Sequence, residues 1–144
     1  MAEIPAPQPG LVIRHDFLWS QDAAAKRDQG KDRPACVIIV VDIPNAPTFT
    51  IILPITHARP AKPEDGVEIP QATRQRLGLD NSPCWIIVSE YNIDRWPPPG
   101  LALVPRQNAF AYGFLPPKLF ADVMAKFTTA YTAGQIAKID RTKP

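Results

Sequence analysis

Three consecutive stretches decide the fold class: Ala35-Cys36-Val37-Ile38-Ile39-Val40-Val41, Asp42-Ile43-Pro44-Asn45-Ala46-Pro47, and Thr48-Phe49-Thr50-Ile51-Ile52-Leu53-Pro54. The first is a short, unbroken apolar run rich in Val and Ile, the pattern of a strand buried on both faces. The second carries prolines and an asparagine, residues that pre-set or tolerate turn dihedrals. The third is β-branched and aromatic, and Pro54, which has no N–H to give a ladder, is expected to halt it. A buried strand, a turn and a second strand within residues 35–54 predict a β-rich domain.

Toward the N-terminus, Gly10-Leu11-Val12-Ile13-Arg14-His15-Asp16-Phe17-Leu18-Trp19 reads as another strand. Met1 to Pro9 is punctuated by prolines and is expected to be a flexible arm. Ser20 to Asp32 is polar, with five charges of mixed sign from Lys26 to Asp32, and predicts an exposed loop. Toward the C-terminus, a short β segment at Val67-Glu68-Ile69 follows a charged loop. Gln71 to Leu77 then predicts two helical turns closed by Gly78. Cys84 to Val88 is the next strand, continued by Tyr91 and Ile93, and Trp96-Pro97-Pro98-Pro99-Gly100 is a rigid connector. Short β stretches follow at Leu101–Val104 and Phe110–Phe114.

The last element is a helix. Pro116 and Pro117 stand where a first turn tolerates proline, and Leu119, Phe120, Val123, Met124, Phe127 and Tyr131 recur at helical spacing up to Gly134. Residues 135–144 are expected to form a flexible, solvated basic tail. The pattern is mainly β with minor α: a small barrel or coiled sheet with a C-terminal amphipathic helix packed on it. The length of 144 residues suits one domain over 1–144, and 18 prolines would break a helical bundle repeatedly.

A net charge of +2 is too mild to mark a nucleic-acid binder by itself. No apolar stretch is long enough to span a membrane, and Met1-Ala2-Glu3-Ile4-Pro5 lacks the basic-then-apolar pattern of a secretory leader. The expectation is therefore a cytoplasmic protein, with Cys36 and Cys84 as buried, reduced core thiols. There is no glycine-rich phosphate loop, no Cys/His cluster with metal spacing and no nucleophile elbow, so neither cofactor nor metal is expected.

Polar groups at strand ends remain. Arg33 stands between the charged loop and its strand, Thr56 and His57 follow the third strand, and Glu90 and Asp94 belong to the fourth. His15 alternates with apolar neighbours and reads as facing a polar side of a barrel. Lys26, Arg27 and Lys31 make a phosphate-attracting patch. Trp19 and Trp96, beside loops, are placed to stack on unpaired bases, whereas Trp85 reads as core.

Four segments together resemble the MazF/PemK toxins of bacterial toxin–antitoxin systems. They are Pro9-Gly10-Leu11-Val12-Ile13, Gln29-Gly30-Lys31-Asp32-Arg33-Pro34, Pro54-Ile55-Thr56, and Leu77-Gly78-Leu79-Asp80-Asn81-Ser82. Tyr112-Gly113-Phe114-Leu115 before the terminal helix fits as well, so the likeness runs from about residue 9 to 134. The resemblance implies an SH3-like β-barrel acting as a homodimer. It also implies a metal-independent endoribonuclease, an mRNA-interferase-like growth inhibitor that cuts single-stranded RNA and is silenced by a cognate antitoxin. The arginine of the family's Arg-Pro pair falls on Arg33 and the threonine of its Pro-Ile-Thr on Thr56.

The chemistry suits these two. Without a metal, the RNA 2′-hydroxyl attacks the neighbouring phosphorus, and a guanidinium steadies the charge gathering on the phosphate oxygens. A threonine hydroxyl adds one donor or holds the nucleophile in line. Ser89-Glu90-Tyr91-Asn92-Ile93-Asp94-Arg95 departs from the family's Gln-x-Arg turn, which leaves His57 and Glu90 as candidates for proton transfer. Two other readings stay open: a catalytically weak barrel that binds protein or nucleic acid, and a gyrase-poison-like toxin acting on a protein.

Overall fold

The computed structural model describes residues 2–25 and 30–142. Three long strands carry the sheet. β1 (Leu11–Phe17) pairs antiparallel with β2 (Lys31–Val41) from Val12↔Cys36 to Phe17↔Lys31. β2 pairs antiparallel with β3 (Phe49–Thr56) from Val41↔Phe49 to Ala35↔Pro54. The turn between β2 and β3 is the predicted one, and Asn45 takes a left-handed φ of 62° there, a conformation its short polar side chain tolerates.

β3 divides its free edge between two short strands. β6 (Glu90–Arg95) pairs with its first half as far as Ile52↔Asn92, and β5 (Trp85–Ile87) takes over at Ile55↔Ile86. β1 likewise shares its free edge between β7 (Leu101–Ala102) and β8 (Ala111–Phe114). β4 (Gly66–Glu68) lines β5, and β9 (Ala137–Asp140) joins β6 in parallel. The molecule is mainly β, with a largely antiparallel sheet whose path runs β4-β5-β3-β2-β1-β7. Among the described residues no ladder joins β4 to β7, so the sheet is not closed by hydrogen bonds.

Several expectations are corrected here. Pro54 does not halt β3; it lies in the gap where β6 ends and β5 begins, so a missing N–H costs no bond on that edge. The polar stretch from Ser20 holds a short helix, α1 (Ser20–Ala24), and β2 starts at Lys31 rather than at Ala35. The strand expected from Cys84 through Ile93 is two, β5 and β6. The expected solvated tail carries β9, whose backbone is bonded to β6. In the N-terminal arm, the Trp96 indole N–H donates to the Pro5 carbonyl at 3.0 Å, and Gly10 N–H to Val37 at 2.7 Å.

The buried double face expected of Ala35 to Val41 holds over Ala35 to Ile38, while Ile39 and Val40 are half-buried and Val41 is exposed. Val12, Cys36, Ile38, Leu53 and Ile55 meet one core layer together with Leu77, Leu119, Val123 and Phe127 from two helices. Ile13, Phe17, Ala35, Val37 and Ile52 meet a second layer on the opposite side. α2 (Gln71–Leu77) ends as predicted at Gly78, whose φ of 72° is the left-handed C-terminal cap. α3 (Pro117–Thr132) buries Leu119, Val123 and Phe127, and its Lys126 ammonium donates to the Pro63 and Gly66 carbonyls beside β4. Tyr131, the next residue of that stripe, is exposed.

Candidate functional site

β2 and β3 keep company only to Ala35↔Pro54. Beyond it β2 stays with β1 as far as Lys31, while β3 follows β5 through Thr56↔Trp85. A cleft of ≈ 740 Å³ opens at this divergence. Ile55, Leu79 and Cys84 give it an apolar lining. Arg14, Lys31, Arg33 and Arg106 border it against two carboxylates, Asp32 and Asp80. The chain as a whole carries only two excess positive charges, so this cleft concentrates them.

Arg33 and Thr56 each stand two residues past the last β2–β3 pair, one on either side of the opening. Arg33 is the cross-strand partner of His15. Strand alternation puts it on the face of Ala35 and Val37 rather than that of Pro34 and Cys36. Its guanidinium carbon lies 5.3 Å from the centroid of the Trp19 ring, a cation–π contact. Burial lowers its pKa, with the Asp22 charge acting in the opposite direction. Arg33 Nε is buried without a hydrogen-bond partner among the described residues.

The other predicted residues are divided. The Thr56 hydroxyl oxygen accepts from Ala58 N–H at 3.1 Å, a local turn that leaves its own hydrogen to donate. His57 is held at both nitrogens, Nδ1 at 2.9 Å from the Pro83 carbonyl and Nε2 at 2.8 Å from Asp80 Oδ2. His57 thereby ties the end of β3 to the loop before β5, with both ring nitrogens engaged.

Glu90 is not part of the cleft. It shares a strand face with Asn92, whose amide clamps the Leu18 backbone at 3.0 and 2.8 Å, and it accepts from Ser20 N–H at 2.7 Å. There it caps the amino end of α1. Trp19 packs edge-on against Phe17, 5.3 Å between centroids, and supports Arg33 instead of lining the cleft. Lys31 does border the cleft; Lys26 and Arg27 lie outside the described residues. His15, expected on a polar side, is fully buried with neither ring nitrogen hydrogen-bonded among the described residues. Burial first, then the Arg141 charge, lowers its pKa to about 4 against the opposing effect of Asp16.

Sequence reasoning gave no role to Arg14 or Arg106, nor to Tyr112 and Asp80, which stand in segments that carry the resemblance. Arg14 Nη1 donates to the Tyr112 hydroxyl at 3.1 Å, and Nη2 reaches the Asp32 carbonyl at 3.4 Å. Its signal was a charged residue two places after Val12, on the strand face that also carries Asp16. Arg106 adopts a left-handed φ of 64° in the turn joining Val104 to Gln107, which no sequence pattern announces. No protein-family model and no curated protein matches the chain.

Proposed function

We propose that this protein is an endoribonuclease of the MazF/PemK toxin kind, cutting single-stranded RNA at the β2/β3 cleft. One observation carries the reading: Arg33 and Thr56 flank an opening rimmed by four cationic side chains and two carboxylates. A polyanionic strand is the ligand such a rim attracts. In the reaction the 2′-oxygen bonds to phosphorus while the bond from phosphorus to the 5′-oxygen breaks. The 2′-hydroxyl proton is released, the leaving oxygen gains one, and the products are a 2′,3′-cyclic phosphate and a 5′-hydroxyl. Arg33 supplies a planar, permanently charged donor for the phosphate oxygens, and Thr56 gives its remaining hydroxyl hydrogen to one of them.

The finer fold in this reading is an SH3-like barrel, acting as a cytoplasmic homodimer that a cognate antitoxin neutralises by covering the cleft. Light scattering at tens of micromolar should then give twice the chain mass of 15.9 kDa. For the activity, the protein is incubated with single-stranded RNA in excess chelator, and fragments bearing 5′-hydroxyl ends are expected. Arg33→Ala should lower the single-turnover rate by about 10²–10³, with a smaller loss of affinity for RNA blocked at the 2′ position. Ends carrying 5′-phosphate, or normal turnover in folded Arg33→Ala, would refute the assignment.

A second reading has its own support. His57 spends both nitrogens on Pro83 and Asp80, and Glu90 caps α1, so neither proton-transfer candidate is free. This favours a module that holds RNA without cutting it. The same incubation separates the two, because the module binds the strand and leaves it intact.

A further inference from the structure

We infer that Arg14, held by Tyr112, is a phosphodiester-binding subsite of the cleft, separate from the Arg33/Thr56 pair. The inference rests on the reading of the cleft as a site for single-stranded RNA and gives Arg14 and Tyr112 roles that the family resemblance does not supply. Arg14 leaves β1 on the face of Val12, whereas Arg33, from the neighbouring strand, leaves on the face of Ala35 and lies over Trp19. The two guanidinium groups are therefore presented from opposite sides of the sheet. Both border the cleft, so an extended strand crossing it meets them in succession, as it meets successive phosphates.

The Arg14 side chain is half-buried and pre-positioned. The Tyr112 hydroxyl accepts from one terminal nitrogen at 3.1 Å, and the Asp32 carbonyl lies 3.4 Å from the other. A guanidinium has five N–H donors, so these two contacts leave donors for two oxygens of one phosphate. The partners are a phenol and a carbonyl rather than a carboxylate, so the positive charge is oriented without being neutralised. Holding the long side chain in place beforehand lowers the ordering cost of binding. Tyr112 acts through Arg14 and is a positioning residue.

The test measures binding of a fluorescent 2′-O-methyl oligoribonucleotide, which cannot be cut, across a series of salt concentrations. Arg14→Ala is expected to lower affinity roughly tenfold and to reduce the slope of log affinity against log salt by about 0.7, the value for one phosphate contact on a single strand. Arg14→Lys should restore the slope and only part of the affinity, because the charge returns without the fork. Tyr112→Phe should weaken binding a few-fold with the slope unchanged, since the charge stays and its hold is lost. Arg14→Gln, neutral and of similar length, gives the same readout as Arg14→Ala if the shorter side chain impairs folding.

A folded Arg14 variant with wild-type affinity and slope overturns the subsite, even where the cleavable RNA is still cut. Wild-type protein that binds the probe through Arg14 yet never cuts cleavable RNA supports the subsite and removes the nuclease reading. Wild-type protein that does not bind the probe at all overturns both.

Discussion

His15 sits on β1 with no exposed surface, next to the Asp16 that Arg141 grips, and its pKa is lowered from 6.5 to about 4. Between those values the unfolded chain binds a proton that the folded protein does not. Stability from this residue is therefore fully present above about pH 6.5 and is lost as pH falls toward 4. At about 1.4 kcal/mol per pKa unit the loss is about 3 kcal/mol. Urea unfolding at pH 7, 5.5 and 4 should show it, and His15→Gln, which does not titrate, should flatten the decline relative to wild type. Asp94, whose pKa burial raises, works in the opposite sense at low pH, and the comparison between the two proteins removes its share. Parallel pH profiles for the pair would contradict the assignment. Cys84 offers a second check, because burial raises its thiol to about 11 although the residue borders the cleft. At neutral pH it should alkylate far more slowly in the folded protein than in denaturant.

Among the elements, α3 is the one whose packing can be weighed residue by residue. Phe127 is buried and meets Tyr91 edge-on at 5.6 Å, while Tyr131 stacks on Phe127 at 6.1 Å and faces solvent. Phe127→Ala should cost about 3–5 kcal/mol, and Tyr131→Ala about 0.5 kcal/mol or less, as for an exposed surface position. Equal losses in chemical unfolding would show that the stripe continues into the core. The helical spacing announced all six stripe residues alike, since periodicity defines a face but not where the sheet beneath it ends. Gly78 was legible for the opposite reason: a left-handed cap is a local requirement, and a glycine at the end of a periodic run meets it. Pro54 was misread because its effect depends on whether a neighbouring strand needs its N–H. That is decided by β5 and β6, more than thirty residues away in sequence.

Over the whole molecule, the C-terminal segment closes contacts with the start of the chain. β9 runs parallel to β6, and Arg141 donates to the Asp16 carbonyl and lies 3.5 Å from its carboxylate. Removing residues 136–144 deletes the β9 ladder and the Arg141 grip. With hydrogen bonds worth about 0.5–1.5 kcal/mol each, and more where charge is involved, a loss of about 3–5 kcal/mol is expected. Arg141→Ala alone should cost about 1.5–3 kcal/mol. Calorimetry on both variants decides the point; an unchanged melting temperature in the truncated protein would mean that β9 contributes nothing to the fold.

The amino-acid sequence by itself determined the central β2–turn–β3 unit, α2 with its Gly78 cap, and the buried face of α3, because each follows from local propensity and short-range periodicity. It also placed Thr56 and Arg33 at strand ends, whereas Lys31, expected in an exposed loop, opens β2. Which way the side chains point, and what holds them, was decided only in three dimensions. Arg33 and Arg14 occupy comparable strand positions, yet one lies over Trp19 and the other is held by Tyr112, 98 residues away in sequence. His57 and Glu90 looked equally available for proton transfer until Asp80, Pro83 and Ser20 were seen to occupy them. These partners sit at sequence separations from 14 to 98, and no local pattern encodes such pairings, which exist only once the sheet has formed and divided at Pro54.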